Sequence, residues 1–162
     1  MTPEQLMALA SARGVNLEAL SRGGTPDWTS EDVALAAAGL DRICFAAALF
    51  SLAGDDGMWS RLRTYLLEYL LAERERQQWT RWVERDGFRS HFAEDVVELV
   101  LIEERSPGRF QVAPELRAIA LRVEPETWRR VIWPQWACVM GEYRRKLLDA
   151  EEHVRRKLRD HG

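Results

Sequence analysis

Hydrophobic residues recur every three or four positions along most of the chain, which is the period of an amphipathic helix. The longest such pattern covers residues 58–84, and another covers residues 90–104. The stretch from Ile43 to Ala53 is almost continuously apolar, which is typical of a helix buried on most faces. We therefore predict an all-α fold built as a helical bundle.

Helix-start and helix-stop residues divide the chain into three regions. Residues 1–26 begin with a capped short helix and end in a Gly-Gly-Thr-Pro linker, so we expect an N-terminal appendage there. Residues 27–112 form the predicted bundle, in which Thr29 and Asp41 are the expected caps of the first two helices. Residues 113–162 form a third region that differs in charge.

Residues 114–133 match the pattern that a helix-turn-helix requires. The expected inward-facing positions are Ala118, Leu121, Val123, Trp128 and Val131. Two positions depart from the pattern: Arg122 occupies the left-handed turn position, and Arg117 occupies a position that is usually apolar. A left-handed Arg122 costs about 1 kcal/mol of strain, unless the turn changes. The same apolar stripes would also serve two ordinary packed helices, and that alternative stays open.

A helix-turn-helix with this arrangement turns its basic residues outward, onto the face that a recognition helix lays in the major groove. An arginine there binds guanine O6 and N7 or clamps a phosphate. Arg117 and Arg122 flank the first helix and are expected to hold the DNA backbone. The full set of candidate residues for binding double-stranded DNA is Arg117, Arg122, Thr127, Arg129, Arg130, Trp133, Arg144 and Arg145.

A long final helix is predicted from Gln135 to Arg159, after a kink or restart at Pro134. One side of this helix is apolar, and the other side carries two clusters of arginine and lysine. These clusters form either a basic ridge beside a nucleic acid or a solvated face that neighbouring acids partly neutralise. Residues 1–112 have a net charge of −6 and residues 113–162 a net charge of +3, so local DNA binding is compatible with an acidic chain.

Composition and motifs exclude several other classes of protein. The 162 residues suffice for one sizeable core, and no apolar run reaches the roughly 20 residues of a membrane span. Cys44 and Cys138 lie too far apart for a paired metal motif and are expected to be buried thiols of a cytoplasmic protein. We find no phosphate-binding loop and no nucleophile turn, and the acids beside His91 have no matching set on a facing helix. We therefore expect no catalytic residues, no metal, no cofactor and no membrane partner.

The C-terminal pattern also resembles a known family. The run from Ala118 to Val123, followed by Thr127-Trp-Arg-Arg and a long amphipathic helix, resembles the C-terminal part of phage late-gene antiterminators of the Q class. The run that starts Trp28-Thr-Ser-Glu-Asp is similar to the beginning of some such proteins, and the lack of CxxC pairs matches a zinc-free branch. The resemblance implies a regulator in the bacterial host cytoplasm. It would bind DNA beside a late promoter, load onto RNA polymerase paused with its sigma factor, and promote terminator read-through.

The charged far end of the 58–84 pattern is the expected contact for that polymerase or sigma factor. The candidate residues there are Arg74, Arg76, Trp79, Trp82 and Arg85. The alternative function is a helical protein-interaction module, such as a phage adaptor or inhibitor, that does not touch DNA. In that case Trp59, Trp79 and Trp82 are the candidate anchors, because tryptophan is enriched in interface hot spots.

Overall fold

The computed structural model describes residues 28–79, 91–105 and 114–160, and every regular element in these ranges is helical. This confirms the predicted all-α fold for the described residues. The predicted N-terminal appendage, Trp82 and Arg85 lie outside these ranges. The elements are α1 (Ser30–Ala37), α2 (Arg42–Leu52), a 3₁₀ turn (Asp56–Met58), α3 (Trp59–Arg76), α4 (His91–Glu103), α5 (Pro114–Ala120), α6 (Pro125–Thr127), a π-helical segment (Trp128–Ile132) and α7 (Trp133–Asp160).

The first two helices begin at the predicted caps. Thr29 Oγ1 accepts from the backbone N–H of Asp32, and the Asp32 carboxylate accepts in return from the N–H of Thr29, both at 3.1 Å. This reciprocal pair is a capping box. The Asp41 carboxylate accepts from the N–H groups of Ile43 and Cys44 at 3.0 Å. Both caps satisfy backbone donors that the first turn of a helix leaves free.

The core lies where α2 packs against α7. Ala46, Ala47 and Ala48 of α2 are fully buried, and such small side chains let two helix backbones approach closely. The facing stripe of α7 places residues at the predicted spacing of three and four. Its fully or almost fully buried residues are Val139, Tyr143, Leu147, Ala150 and Val154. Burial of a side chain the size of Leu147 stabilises the fold by about 2 kcal/mol.

The predicted helix over residues 58–84 is shorter in the structure, because α3 ends at Arg76. Gln78 adopts a left-handed φ of 59°, and the Trp79 N–H donates to the carbonyl of Arg74 at 2.9 Å. The Gln78 N–H donates to the carbonyl of Glu75, which completes a Schellman C-cap. This helix end was not predicted because the left-handed residue is glutamine and not glycine.

The final helix differs from its prediction in two ways. At 28 residues α7 is the longest described helix, and it begins at Trp133, so Pro134 lies within its first turn. Pro134 does not restart the chain, because the π-helical segment joins α6 to α7 without a break. No helix in the described ranges combines the length and the apolar character needed to cross a bilayer. Of the two cysteines, Cys44 is buried as expected but Cys138 is only half-buried.

Candidate nucleic-acid interface

The turn after α5 has the left-handed residue where the helix-turn-helix pattern predicts it. Arg122 has a φ of 56°, and its N–H donates to the carbonyl of Ile119 at 3.1 Å. The Val123 N–H donates to the carbonyl of Ala118 at 3.0 Å, so the turn is a second Schellman cap. The chain therefore keeps the turn geometry and accepts the strain of a non-glycine residue at Arg122.

The predicted inward positions of the helix-turn-helix (residues 114–133, called the unit below) are buried. Ala118, Leu121, Trp128 and Val131 are each less than 5% exposed, and Val123 is half-buried beside them. The first helix of the unit packs on α6 and on the π-helical segment. This packing holds the second part of the unit at a fixed orientation, which a DNA reader requires.

The second part of the unit is a π-helical turn, and Pro134 explains why. Pro134 has no N–H, and in an α-helix its ring would clash with the carbonyl of Arg130, four residues earlier. The N–H of Trp133 instead donates to Trp128, five residues earlier, which widens the helix by one residue. The widened turn carries Arg129 and Arg130. Residues 125–160 are therefore helical throughout, with a change of helix type at the candidate contact residues.

The predicted contact residues point outward from this turn. Arg122, Arg129 and Arg130 are exposed, Trp133 is 49% exposed and Thr127 is half-buried. Among the described residues, no carboxylate lies within ion-pair distance of Arg122 or Arg130. The surface of this helix-turn-helix thus carries an indole and two guanidinium groups that have no ion-pair partner in the described part of the chain.

Acidic residues lie on the same surface. Glu124 and Glu126 are exposed, and the Glu126 carboxylate forms a hydrogen-bonded ion pair with Arg129 three residues later. An exposed pair of this kind contributes at most about 1 kcal/mol and breaks readily. A phosphate approaching Arg129 therefore has to compete with Glu126, whereas Arg130 meets no such competitor in the described ranges.

The prediction that Arg117 holds the DNA backbone is wrong, because its side chain is inside the protein. Arg117 is 7% exposed, and its guanidinium donates to Oε1 of Glu103, from Nε at 2.8 Å. The same group lies 3.9 Å from the ring centre of Trp136 and 5.8 Å from that of Trp128. Arg117 therefore fills the apolar position as half of a buried ion pair with Glu103.

This cluster anchors the unit to the rest of the fold. Oε2 of Glu103 accepts from Nε1 of Trp136 at 2.7 Å, so one carboxylate joins the end of α4, the first helix of the unit and α7. The indoles of Trp128 and Trp136 meet at 6.2 Å with a tilt of 59°. Glu103 and Trp136 were not predicted as partners of Arg117. The sequence did contain a signal for this pair. Glu103 and Glu104 end a long apolar run, and Arg117, 14 residues after Glu103, occupies a position that is usually apolar.

The other two candidate DNA-binding residues, Arg144 and Arg145, already have carboxylate partners. Arg144 Nε donates to Glu104 at 3.0 Å, and Arg145 donates to both oxygens of Glu142. Both arginine side chains remain substantially exposed, at 44% and 60%. Arg144 follows Trp133 by 11 residues, about three helical turns or 16 Å, so the two lie on nearly the same side of α7. Arg144 and Trp133 therefore share one exposed side of α7.

The candidate partner-binding residues at the end of α3 separate into inward and outward groups. Arg76 is exposed and pairs with Glu73 at 2.6 Å, and Trp79 is half-buried against the core. Arg74 does not face a partner, which corrects its prediction: it is 5% exposed, and Nε donates to Oε1 of Gln135 at 2.6 Å. Burial lowers the pKa of Arg74. The alternating charges of residues 73–76 predict an exposed segment, whereas Arg74 lies on the buried side of α3.

The acidic residues near His91 are engaged in ion pairs. Glu94 and Glu98 of α4 both contact Arg63 of α3, at 3.4 and 3.1 Å. In the described ranges no group of three histidine, cysteine or acidic side chains is arranged to hold a metal ion. This surface links two helices by charge.

No family model, curated protein or solved structure matches the chain. The interpretation of the interface therefore depends on its own geometry.

Proposed function

We propose that the chain is a DNA-binding protein that uses residues 114–133 as a helix-turn-helix. The observation that carries this proposal is the left-handed Arg122, which closes the turn between two buried helical stripes and leaves Arg129 and Arg130 outside. The left-handed φ places a strained but exposed arginine at the junction of the two helices. Glycine would avoid that strain, and an exposed arginine there adds a phosphate contact.

The arrangement of charge supports a division of roles within the interface. Arg130 is exposed without a carboxylate partner in the described ranges, so it is the main candidate for a base edge. Arg122 and Arg144 lie before and after the recognition turn and are proposed to bind phosphates. Trp133 supplies an exposed aromatic ring beside them.

Duplex binding tests this proposal. A labelled random-sequence duplex is titrated with the protein at several salt concentrations, and the Arg122→Ala/Arg144→Ala variant, which lacks both proposed phosphate contacts, is compared. Each lost phosphate contact should reduce the slope of log K against log salt by about 1. The control is Arg156→Ala/Lys157→Ala, which removes the same charge from the far end of α7. Loss of affinity in the control alone, or no binding by the wild-type chain, would refute the proposal.

We further propose, on the resemblance alone, that this DNA binding serves antitermination at a phage late promoter. RNA polymerase and its sigma factor are then the protein partners, and exposed residues at the end of α3 such as Arg76 are their candidate contacts. The test is transcription in vitro from the late promoter nearest the gene across an intrinsic terminator. Read-through should rise with the wild-type protein and not with the Arg129→Ala/Arg130→Ala variant.

A second candidate function is a protein-interaction module, and the mixed charge of the interface favours it. Glu124 and Glu126 would repel phosphates, while the exposed Trp133 and the 39%-exposed Ile119 suit a protein partner. This candidate predicts that Glu124→Gln/Glu126→Gln leaves duplex binding absent. The DNA-binding proposal predicts that the same variant binds duplex more tightly, because two repulsive charges are removed.

A further inference from the structure

A buried polar chain connects the end of α3 with the π-helical segment. Nε of Arg74 donates to Oε1 of Gln135 at 2.6 Å, and Nε2 of Gln135 donates to the carbonyl of Val131 at 3.1 Å. Gln135 is 2% exposed, so both ends of its amide are engaged inside the protein. Val131 lies next to Arg130, so the chain ends at the turn that carries the candidate contact residues.

Arg74, the first residue of this hydrogen-bonded polar chain, is an unusual residue type for a buried position. No carboxylate in the described ranges pairs with Arg74, and a buried guanidinium without an anion destabilises a fold relative to an apolar side chain of similar size. Packing of α3 does not account for the arginine, since methionine would fill similar space without the charge. What the guanidinium adds is a donor that fixes which end of the Gln135 amide faces Val131.

We propose that Arg74 and Gln135 are positioning residues that hold the π-helical turn, and with it the direction of Arg129 and Arg130. Arg74 orients the amide oxygen of Gln135, and the amide nitrogen then holds the Val131 carbonyl in the widened turn. The consequence for DNA binding rests on the proposed function, whereas the effect on the turn does not.

The position of Arg74 gives this chain a further consequence. Arg74 also supplies the carbonyl that closes the C-cap of α3 at Trp79, so one residue belongs both to the end of α3 and to the polar chain. The polar chain therefore ties the C-cap of α3 to the π-helical segment.

The experiment compares Arg74→Met, Gln135→Met and their double variant with an Arg76→Met control. Arg76→Met removes the same charge from α3 but touches no residue of the polar chain. The first measurement is hydrogen exchange of the Trp133 amide in the free protein, because this amide forms the π-helical bond to Trp128. Exchange should accelerate by about 2- to 13-fold in both single variants, the effect of one lost hydrogen bond. The double variant should match the singles, because all three break the same chain.

The second measurement is duplex binding at temperatures where every variant is folded. Below its unfolding midpoint, Arg74→Met should weaken binding by about 2- to 30-fold. The salt slope should stay unchanged, because Arg74 touches no phosphate, which separates a positioning residue from a contact residue. If Arg74→Met does not fold, Gln135→Glu replaces it: the acceptor for Arg74 is kept and the donor to Val131 is lost.

The results decide the proposal in each case. Unchanged Trp133 exchange in the Arg74 and Gln135 variants, or acceleration in Arg76→Met alone, would overturn it. If wild-type protein binds no duplex but Trp133 exchange accelerates as expected, the positioning role stands and only the proposed function fails.

Discussion

The left-handed Arg122 gives the sharpest test of the turn. An L-residue at a φ of 56° costs roughly 1–2 kcal/mol, whereas glycine adopts this conformation freely. Glycine also loses about 0.5–1 kcal/mol more than alanine in backbone entropy on folding. The difference predicts that Arg122→Gly is about 0.5–1 kcal/mol more stable than Arg122→Ala, or roughly 1–4 °C in Tm for a chain of this size.

The assay monitors urea unfolding by circular dichroism for the glycine variant and the alanine variant at each site. Gln78 is a parallel site, since its φ of 59° lies in an equivalent C-cap, and it should show the same order of stability. Ile119 is the inverse control, because it is partly exposed within α5 and has no positive φ. There glycine should be less stable than alanine by about 0.5–1 kcal/mol.

Two results would contradict this account of Arg122. One is an Arg122→Gly variant that is no more stable than Arg122→Ala while Ile119 behaves as expected. The other is a DNA salt slope that does not change in Arg122→Gly, although the exposed arginine is lost, which would remove Arg122 from the interface.

Three further predictions concern the Arg117–Glu103 ion pair, the loss of stability at acid pH and the N-cap of α1. Arg117→Ala should cost about 3–5 kcal/mol in urea unfolding because the buried Glu103 carboxylate loses its cation and keeps only its other hydrogen bonds, and a loss under 1 kcal/mol would contradict the ion pair. Burial tends to raise the pKa of Glu142, but hydrogen bonds from Arg145 and Tyr65 outweigh it and hold the pKa below its ordinary value. Glu142 therefore stabilises the fold above about pH 4.5 and less as pH falls, so Glu142→Gln should flatten the pH dependence of unfolding on the acid side; identical profiles would exclude this. Thr29→Ala should cost about 1 kcal/mol and Thr29→Ser much less, and equal losses in thermal unfolding would argue against the cap.

The parts of the fold that follow from local chemistry could be predicted from the sequence. Thr29 and Asp41 cap helices because their side chains reach donors two or three residues away, which needs no tertiary information. The turn at Arg122 was also predictable, since its spacing from Ala118 and Trp128 is set by the helical period. Even a strained residue there did not change the geometry.

The parts that depend on distant partners could not be predicted. Arg74 and Arg117 look like surface arginines in the sequence, but one meets Gln135 across 61 residues and the other meets Glu103. The end of α3 was missed because glutamine took the left-handed position. The π-helical turn combines a proline effect with packing of Trp128, and hydrophobic periodicity carries no signal for it.

The most direct test of the central claim is chemical protection of guanine N7, which lies in the major groove. A duplex is first selected from a random pool by the wild-type protein and is then treated with dimethyl sulfate. We predict protected guanines in the selected site, and loss of this protection in the Arg129→Ala/Arg130→Ala variant at a concentration that still occupies the DNA. No enriched sequence after selection, or the same protection without both arginines, would contradict a recognition turn at residues 128–133.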